Sequence, residues 1–367
     1  MGAFVGNVTS PFLRRRKGRI GKDKYLEKVA PTWAGAEIKI AMGNYECMIC
    51  SPNASGSYQR SANGAESAWT THALLATLFI GNGLPANGGR ARPFSEFFAL
   101  NPNAILMPLT PVGTHTGFGG TLFRSFPGVF NLPSVGDVAG HPQEDLCWTT
   151  DGNCFLSVGA MSANTVKARG GYFIETPEVL LIPVGAGAGV GAYSVVTIDE
   201  PAIKDNFYTW ILGFGNGAQP FVRVQRTIHP KGVGAGTWTF TNIANPGTGI
   251  STRWLVDGAV VITENQTDKL ARSIDYGKTF TAVTSANMGP VHDFWRYGRR
   301  YFEIARDTPR CMVSQNKGLT WAANPVAFPS GTFVPDKTIA MPFGQRFILG
   351  HDGAVNRCYV HKPFMDI

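Results

Sequence analysis

One short pattern, which occurs twice near the C-terminal end, constrains this chain more than any other feature. The first copy, at residues 273–280, reads S-x-D-x-G-x-T-F, and the second, at residues 314–321, reads S-x-N-x-G-x-T-W. Asp or Asn can bond the backbone amides ahead of it, and Gly two residues later supplies a positive φ, so each copy predicts a tight turn. Thr and a large aromatic residue then begin a strand. The copies start 41 residues apart, and a period near 40 is typical of stacked or radial β-structures.

The pattern resembles the Asp-box, also called the bacterial neuraminidase repeat, of sialidases and other β-propellers. In that family the box resembles a structural fastener that lies away from the catalytic face, so the resemblance implies a fold and not an activity. We expect Asp275 to cap its own turn, and Phe280 and Trp321 to pack between neighbouring blades. The resemblance implies a structural role for Ser273, Asp275, Gly277, Thr279, Phe280, Ser314, Asn316, Gly318, Thr320 and Trp321.

Many short apolar runs, interrupted by Gly, Asn and Pro, make up most of the remaining chain. This favours a sandwich, barrel or propeller. Trp210, Trp254 and Trp295 each precede a Gly-containing turn, at intervals of 44 and 41 residues that match the interval between the two patterns. We therefore predict a repeated unit of strand, turn, strand, loop and a final hairpin that carries the pattern. Degenerate copies at residues 61–69 and 233–238 support two earlier units.

These intervals predict an all-β fold, a six- or seven-bladed β-propeller with Asp-box hairpins and a basic N-terminal arm. We assign residues 1–30 to the arm and residues 31–367 to the propeller. The last unit, from about Lys337, has only 31 residues, which is short for four strands. We expect an N-terminal strand, from residues 25–36, to close the last blade and remove an exposed sheet edge.

Positive charge is concentrated at the start of the chain. Residues 1–30 hold eight Lys or Arg and two Asp or Glu, and so carry +6 of the net charge of +8. A nearly neutral body with a basic arm differs from a uniformly basic nucleic-acid binder. We expect the arm to bind an acidic surface of another subunit, because the arginine fork bonds carboxylates bidentately; nucleic acid is the disfavoured partner. The expected partner-binding residues are Arg14, Arg15, Arg16, Lys17, Arg19, Lys22 and Lys24.

No cofactor, metal site or membrane insertion is expected. The Cys47-x-x-Cys50 pair lies in a strand-like run, and no second such pair completes a zinc site. The glycine pattern at residues 187–192 precedes a strand-like segment rather than the helix that a dinucleotide site needs. Residues 179–198 carry no charge, but Pro183 and several glycines predict two strands and a loop instead of a membrane helix.

Sialidase chemistry needs an arginine cluster, an acid/base Asp and a Tyr with a partner Glu. The family's Arg-Ile-Pro signature has no match here, since Arg19-Ile20 is followed by Gly21. No motif brings three arginines together. We therefore expect the chain not to be an enzyme.

The combination of an Asp-box propeller, a Gly-rich neutral body, no secretory signal and a charged arm resembles bacteriophage tail components. This resemblance implies a non-enzymatic structural or attachment protein of a virion, made in the host cytoplasm. It would dock onto other virion subunits through its arm and present propeller loops to a partner or to a host-surface glycan or protein. The alternatives are a sialidase-type glycoside hydrolase or a free glycan-binding lectin, with a cytoplasmic location if the chain is not viral.

Overall fold

The structure is a computed structural model of the chain. It describes residues 23–30, 39–42, 47–50, 57–61, 69–73, 105–109, 121–126, 129–131, 143–151, 153–162, 165–172, 178–183, 193–214, 220–229, 236–247, 253–266, 269–284, 291–305, 311–340 and 346–362.

The described residues form 27 strands and no helix. The strands build seven antiparallel sheets, six of four strands and one of three. We number the sheets along the chain: sheet 1 is β2–β5, sheet 2 is β6–β8, sheet 3 is β9–β12, sheet 4 is β13–β16, sheet 5 is β17–β20, sheet 6 is β21–β24, and sheet 7 is β25–β27 with β1. The strands are β1 (Lys24–Glu27), β2 (Lys39–Met42), β3 (Cys47–Cys50), β4 (Ser57–Ser61), β5 (Thr70–Ala73), β6 (Ile105–Leu109), β7 (Thr121–Phe126), β8 (Val129–Asn131), β9 (Gln143–Trp148), β10 (Cys154–Ser162), β11 (Thr165–Tyr172), β12 (Glu178–Pro183), β13 (Tyr193–Thr197), β14 (Phe207–Phe214), β15 (Phe221–Thr227), β16 (Trp238–Ile243), β17 (Trp254–Asp257), β18 (Val260–Gln266), β19 (Lys269–Ser273), β20 (Thr281–Thr284), β21 (Val291–Tyr297), β22 (Arg300–Ala305), β23 (Met312–Ser314), β24 (Ala322–Ala323), β25 (Phe333–Ala340), β26 (Arg346–Asp352) and β27 (Val355–Lys362).

The sheets follow one another in a ring. The first strands lie side by side in five pairs of sheets, β6 with β9, β9 with β13, β17 with β21, β21 with β25, and β25 with β2 of sheet 1. Within sheets 5 and 6 the order is strand, turn, strand, loop, strand, repeat turn and strand. This is the predicted unit and the predicted all-β propeller arrangement.

The hydrophobic core consists of layers between the sheets. Side chains alternate along a strand, so each strand contributes to the layers on both sides of its sheet. In β14, Trp210 and Leu212 pack in the layer shared with sheet 3, whereas Ile211 packs in the layer shared with sheet 5. Burial of both faces explains why such strands read as continuous apolar runs.

Trp210 corrects one sequence inference. It lies in β14, the second strand of sheet 4, whereas Trp254 and Trp295 lie in the first strands of sheets 5 and 6. The 44-residue interval between Trp210 and Trp254 therefore does not join equivalent positions. Tryptophan fills either strand equally well, because the layers on both sides of a sheet accept large apolar side chains.

Sheet 7 takes its outermost strand from the N-terminal region. β1 pairs antiparallel with β27, with Lys24 opposite Lys362 and Glu27 opposite Tyr359. A backbone bond from Lys28 N to Cys358 O, 2.9 Å long, extends this pairing. The strand lies within residues 1–30, which were expected to form the arm, and overlaps the expected donor segment at residues 25–27.

Candidate functional site

The first repeat turn, residues 273–280, is held by its own polar side chains. Asp275 Oδ1 accepts bonds from the amides of Lys278 and Thr279, both at 3.0 Å, and Oδ2 accepts the Thr279 hydroxyl at 2.6 Å. The Ser273 hydroxyl donates to Asp275 at 2.6 Å and accepts the Gly277 amide at 2.9 Å. Asp275 therefore caps the turn, as its position in the pattern predicts. Burial alone would raise the pKa of this carboxyl, but the bonds outweigh burial and lower it.

The second repeat turn, residues 314–321, repeats this geometry with an amide in place of the carboxylate. Asn316 Oδ1 accepts the Thr320 amide at 2.9 Å, and Asn316 Nδ2 donates to the Thr320 hydroxyl at 2.8 Å. Ser314 Oγ accepts the Gly318 amide at 2.9 Å. The second turn keeps these bonds without a charge.

Each turn passes through the left-handed region at two consecutive residues. The φ angles are 61° at Tyr276 and 72° at Gly277, and 57° at Lys317 and 77° at Gly318. The glycine of the pattern was expected there, but the side-chain residue before it was not. A left-handed non-glycine residue costs about 1–2 kcal/mol, which the bonds within the turn offset.

The two glycines contact the preceding sheet. A Cβ at Gly277 would lie 2.0 Å from Ile211 Cδ1 of sheet 4, and a Cβ at Gly318 would lie 2.1 Å from Ile262 Cδ1 of sheet 5. Glycine is therefore required for close approach as well as for φ. Each turn packs against the second strand of the sheet before it.

The aromatic residues that end the turns also pack between sheets. The ring of Phe280 lies 4.6 Å from that of Phe221 in sheet 4. Trp321 is buried in the layer that Ile262 and Leu270 of sheet 5 share with Phe294 and other residues of sheet 6. The positions predicted for Phe280 and Trp321 are therefore the observed ones.

Arginines from the third strands join each turn to the preceding sheet. Arg223 donates to the Tyr276 carbonyl at 2.9 Å, and Arg272 donates to the Lys317 carbonyl at 2.8 Å. Both acceptors occupy the position before the turn glycine. Arg223 also bonds Glu200 at 2.5 Å.

Glu200 is the buried carboxylate of a charge cluster at the junction of sheets 4 and 5, in which Arg223 is buried and Lys278 is half exposed. Its carboxylate binds Arg223 of its own sheet and Lys278 of the first repeat turn. Burial would raise the pKa of Glu200, but the bonds from Lys278 and Arg223 outweigh this and lower it. The cluster therefore holds an ionised carboxylate between two sheets.

The degenerate turn before β16 is held by a residue of the neighbouring sheet. It lacks the Asp of the pattern, and Glu178 of sheet 3 instead accepts bonds from Trp238 Nε1 at 3.0 Å and the Gly236 amide at 3.4 Å. Glu178 also accepts a bond from Arg226 at 3.0 Å. The guanidinium of Arg226 lies 4.4 Å from the ring centre of Tyr172 and 5.5 Å from that of Trp238. An inter-sheet carboxylate thus replaces the internal cap.

Trp69, the last residue of the other degenerate copy, lies between sheets 1 and 7. Trp69 Nε1 donates to the Val29 carbonyl, just after β1, at 2.8 Å. Its ring lies 6.4 Å from that of Phe347 in β26. Trp69 of sheet 1 therefore contacts sheet 7 in the way that the other turn aromatics contact their preceding sheets.

Asp23 joins β1 to sheet 6. Its buried carboxylate accepts bonds from Arg300 at 3.1 and 3.3 Å and from Asn324 at 2.9 Å. The fully buried His361 lies 3.7 Å from it, longer than a hydrogen bond, and stacks on Tyr25 with ring centres 4.8 Å apart. Burial lowers the pKa of His361.

Asp257 accepts hydrogen bonds at a further junction, between sheets 5 and 6. At the end of β17 it binds Arg296 and the hydroxyl of Tyr301, both from sheet 6. Burial and then the bond to Asp257 raise the pKa of Tyr301. Another tyrosine, Tyr208, donates to Asp151 at 2.8 Å, and burial followed by this bond raises its pKa also.

These clusters and the repeat turns lie at one end of the ring, which we call the repeat-turn end. The Tyr276 amide donates to the carbonyl of Ala259, in the turn between the first two strands of sheet 5, at 2.9 Å. The equivalent turn of sheet 6 leads into Arg300, which binds Asp23. The strand β1 therefore also begins at this end.

Most of the expected partner-binding residues, Arg14, Arg15, Arg16, Lys17, Arg19 and Lys22, lie outside the described residues. Lys24 is described and is exposed at the first position of β1. Within the described part of the chain, no group of three His, Cys, Asp or Glu side chains is placed to hold a metal ion. No helix long and apolar enough to cross a membrane occurs among these residues.

Sequence reasoning did not identify Arg223, Arg272, Glu200 or Asp23. The arginines carry a usable signal, because each lies in the third strand of the sheet before a complete pattern. Glu200 and Asp23 lie outside any motif, and each has a cationic partner that only the meeting of two sheets supplies, Lys278 for Glu200 and Arg300 for Asp23.

Comparison with known proteins identifies the fold. No protein-family model and no curated protein matches the chain by sequence. Among solved structures, YCF48 from Cyanidioschyzon merolae is similar at a TM-score of 0.55 and 12% identity, with 92% of this chain and 98% of that chain covered. A structure of YCF48 bound to D1 peptide matches at a TM-score of 0.54 and 12% identity, over 94% of this chain and 96% of that one.

The chain is a β-propeller. A chain of the mitotic checkpoint complex gives a TM-score of 0.53 at 7% identity, with 99% of this chain and 100% of that chain covered. At these identities the similarity concerns the fold alone.

Proposed function

We propose that the chain is a non-enzymatic structural or attachment protein of a virion, most similar in character to a bacteriophage tail component. It docks through the basic arm onto other subunits and presents propeller loops to a partner or to a host-surface glycan or protein. In this proposal the two repeat turns are Asp-boxes that fasten each blade to the one before it. The chain is located in the virion after synthesis in the host cytoplasm.

The observation that carries this proposal is the distribution of charge, which is paired within the ring and concentrated in the segment before it. In the described residues, the carboxylates of Glu200, Asp257 and Asp23 bind cationic side chains across sheet junctions and stabilise the ring. The remaining positive charge is concentrated before β1, in residues 1–22, which hold six Lys or Arg and no Asp or Glu and so carry +6 of the net +8. A stable body with a separate basic segment suits docking onto an acidic surface.

The absence from the sequence of the sialidase family's Arg-Ile-Pro signature favours this proposal over a sialidase-type hydrolase.

The fold is compatible with binding. YCF48, one of the similar structures, is bound to a D1 peptide, and propeller loops on a rigid ring are suitable binding elements. The same observations are compatible with a free glycan-binding lectin. Incorporation into particles distinguishes a virion protein from a free lectin.

Incorporation of the chain into particles tests the proposal. Virus lacking its own copy is complemented with the intact chain or with a full-length arm-neutral variant, in which Arg14, Arg15, Arg16, Lys17 and Arg19 are replaced by serine. Particles are purified on a density gradient and the chain is quantified by mass spectrometry. We expect only the intact chain in particles, while both proteins unfold at the same temperature. Absence of the intact chain from particles overturns the virion assignment, and equal incorporation overturns docking through the arm.

A further inference from the structure

His361 of β27 is fully buried at the junction of sheets 6 and 7. Neither of its ring nitrogens has a hydrogen-bond partner among the described residues. Its ring stacks on Tyr25 of β1 with centres 4.8 Å apart, and meets the rings of Phe302 and Trp295 of sheet 6 edge-on at 5.1 and 5.8 Å. The imidazole is therefore part of the aromatic layer that joins β1 and β27 to sheet 6.

Positive charge already flanks this imidazole. Arg346 of β26 is its direct cross-strand neighbour, and like charges at directly opposite positions destabilise a sheet. On the other side, the carboxylate of Asp23 lies 3.7 Å from the imidazole and binds Arg300 at 3.1 Å and Asn324 at 2.9 Å. A proton on His361 would thus place a further cation near two arginines, beside a carboxylate that already binds Arg300 and Asn324.

The other titratable side chains that the structure describes in this layer are phenols and a thiol. Tyr25 donates its hydroxyl to the Cys311 thiol at 3.2 Å, and burial raises the pKa of both groups, to about 12 for Cys311. Tyr297 and Tyr359 pack in the same layer, and phenols are neutral at about pH 5–7. Glu303 occupies the opposite face of β22, in the direction of sheet 5.

The segment that carries β1 enters this junction through two side chains. Asp23 binds sheet 6, and Tyr25 stacks on His361. Further along the strand, Glu27 forms an exposed ion pair with Arg357 at 2.7 Å, of a kind that contributes little to stability. Among the described strands, β1 is the outermost of sheet 7 and pairs with β27 alone. Both side chains that fix β1 to sheet 6 thus lie against His361.

We propose that His361 is a pH-sensitive switch, in which protonation of the imidazole releases β1, and the arm that precedes it, from the ring. Separation of β1 removes Asp23 and Tyr25 from the imidazole and lets water hydrate the charged ring. An outermost strand of four residues is an element of the kind that opens at low free energy. Release uncovers the edge of β27, whose backbone groups can then pair with another strand. The inference goes beyond the proposed docking function, since it concerns how the arm is held and not what it binds.

The direction of the switch follows from the environment of the imidazole. Burial lowers the pKa of His361 in the closed ring, whereas a hydrated imidazole titrates at about 6.5. The open state therefore binds more protons below about pH 6.5 and becomes more populated as the pH falls. With one proton involved, the ratio of open to closed molecules rises by at most about fivefold between about pH 6.5 and pH 5.5.

Hydrogen–deuterium exchange of the full-length chain, followed by mass spectrometry, tests the switch at about pH 5.5, 6.5 and 7.5. The exchange rates are corrected for the intrinsic pH dependence of amide exchange. Peptides that cover residues 23–30 report on the release of β1, and peptides from β14 and β22 serve as references within the ring. We expect the corrected exchange of residues 23–30 to rise by up to about fivefold from about pH 6.5 to 5.5, with the reference peptides unchanged.

Two substitutions remove the titrating group in different ways. His361→Phe keeps an aromatic ring in the layer, and His361→Gln keeps a polar side chain, but neither gains a proton at these pH values. We expect both variants to lose the rise of exchange with acid, whatever their exchange at neutral pH. The matched control is His351→Gln in β26, a partly buried histidine on the face of sheet 7 that carries Phe347 and contacts sheet 1. This control keeps the rise.

Four results overturn the inference. They are no rise of exchange with acid at residues 23–30 of the intact chain, the same rise in both His361 variants, loss of the rise in His351→Gln, or an equal rise in the reference peptides. The last result would show that the whole ring opens instead of β1. These outcomes are separate from the virion assignment, which incorporation of the chain into particles tests.

Discussion

Replacing Gly318 with alanine tests whether a repeat turn fastens its sheet to the preceding one. Gly318 has a φ of +77°, and an added Cβ would lie 2.1 Å from Ile262 Cδ1. A left-handed alanine costs about 1–2 kcal/mol. Overpacking against the fully buried Ile262 costs about 1–3 kcal/mol more. We expect the free energy of unfolding to fall by about 2–5 kcal/mol.

Two other glycines separate the backbone contribution from the steric one. Gly258 has a φ of +58° with nothing within 4 Å of an added Cβ, and Gly331 has open space without a positive φ. Gly258→Ala therefore costs only the backbone share, about 1–2 kcal/mol. Gly331→Ala changes stability by about 0.5 kcal/mol or less.

A second substitution restores the space. Ile262→Val removes the Cδ1 atom that an alanine at position 318 would meet, and by itself costs about 0.5–1.5 kcal/mol. If the steric argument is correct, the double variant is less destabilised than the sum of the single variants, by about 1–3 kcal/mol.

Urea unfolding, followed by tryptophan fluorescence and circular dichroism, is measured for the unsubstituted chain and the five variants, and equal m-values check that the same transition is compared. If Gly318→Ala costs no more than Gly258→Ala, and its effect adds to that of Ile262→Val, then the glycine serves only the turn and the contact between sheets does not stabilise the ring.

Four further predictions follow from other contacts. Trp321→Ala removes a buried side chain and lowers the free energy of unfolding by about 3–5 kcal/mol, and an unchanged melting temperature would contradict its place between sheets. Asp23→Ala leaves Arg300 without its carboxylate and lowers the free energy of unfolding by about 3–5 kcal/mol. A truncation of residues 1–22, which keeps Asp23, leaves the melting temperature unchanged. If the truncation destabilises the protein more than Asp23→Ala does, the arm and not Asp23 stabilises sheet 7. Burial lowers the pKa of His361 in the folded protein. The neutral imidazole therefore stabilises the folded state above the usual histidine pKa of about 6.5, and this stabilisation is lost as pH falls below that value. In urea unfolding from pH 5 to 7, a His361→Gln variant shows a weaker rise of stability with pH, and an unaltered slope would show that His361 does not cause the rise. Purified protein does not turn over a chromogenic sialoside, and turnover that a tyrosine substitution abolishes would show that the chain is an enzyme.

The sequence predicted those parts of the fold that depend on local chemistry. Asp275 and Gly277 form a turn from interactions within eight residues, so the pattern alone was sufficient to place it. The alternation of apolar runs likewise predicted strands at both ends of residues 179–198, where β12 and β13 lie.

Contacts between distant segments could not be predicted in the same way. The partners of Asp23 are Arg300 and Asn324, separated from it by 277 and 301 residues, and no local pattern connects them. Trp210 shows the converse error, in which a regular interval joined residues in different strands. Which charged side chains pair with each other depends on which sheets are neighbours, and only the folded ring determines that.

The pairing of β1 with β27 has a consequence for biosynthesis. At about 5–20 residues per second, the ribosome adds Val355 roughly 15–65 seconds after it has added Glu27. Throughout that interval the first strand has no partner, because its neighbour in sheet 7 does not yet exist. A protein that is present during translation can therefore bind the basic segment before the ring of sheets has formed. Such binding would compete with the last step of folding, the pairing of β1 with β27.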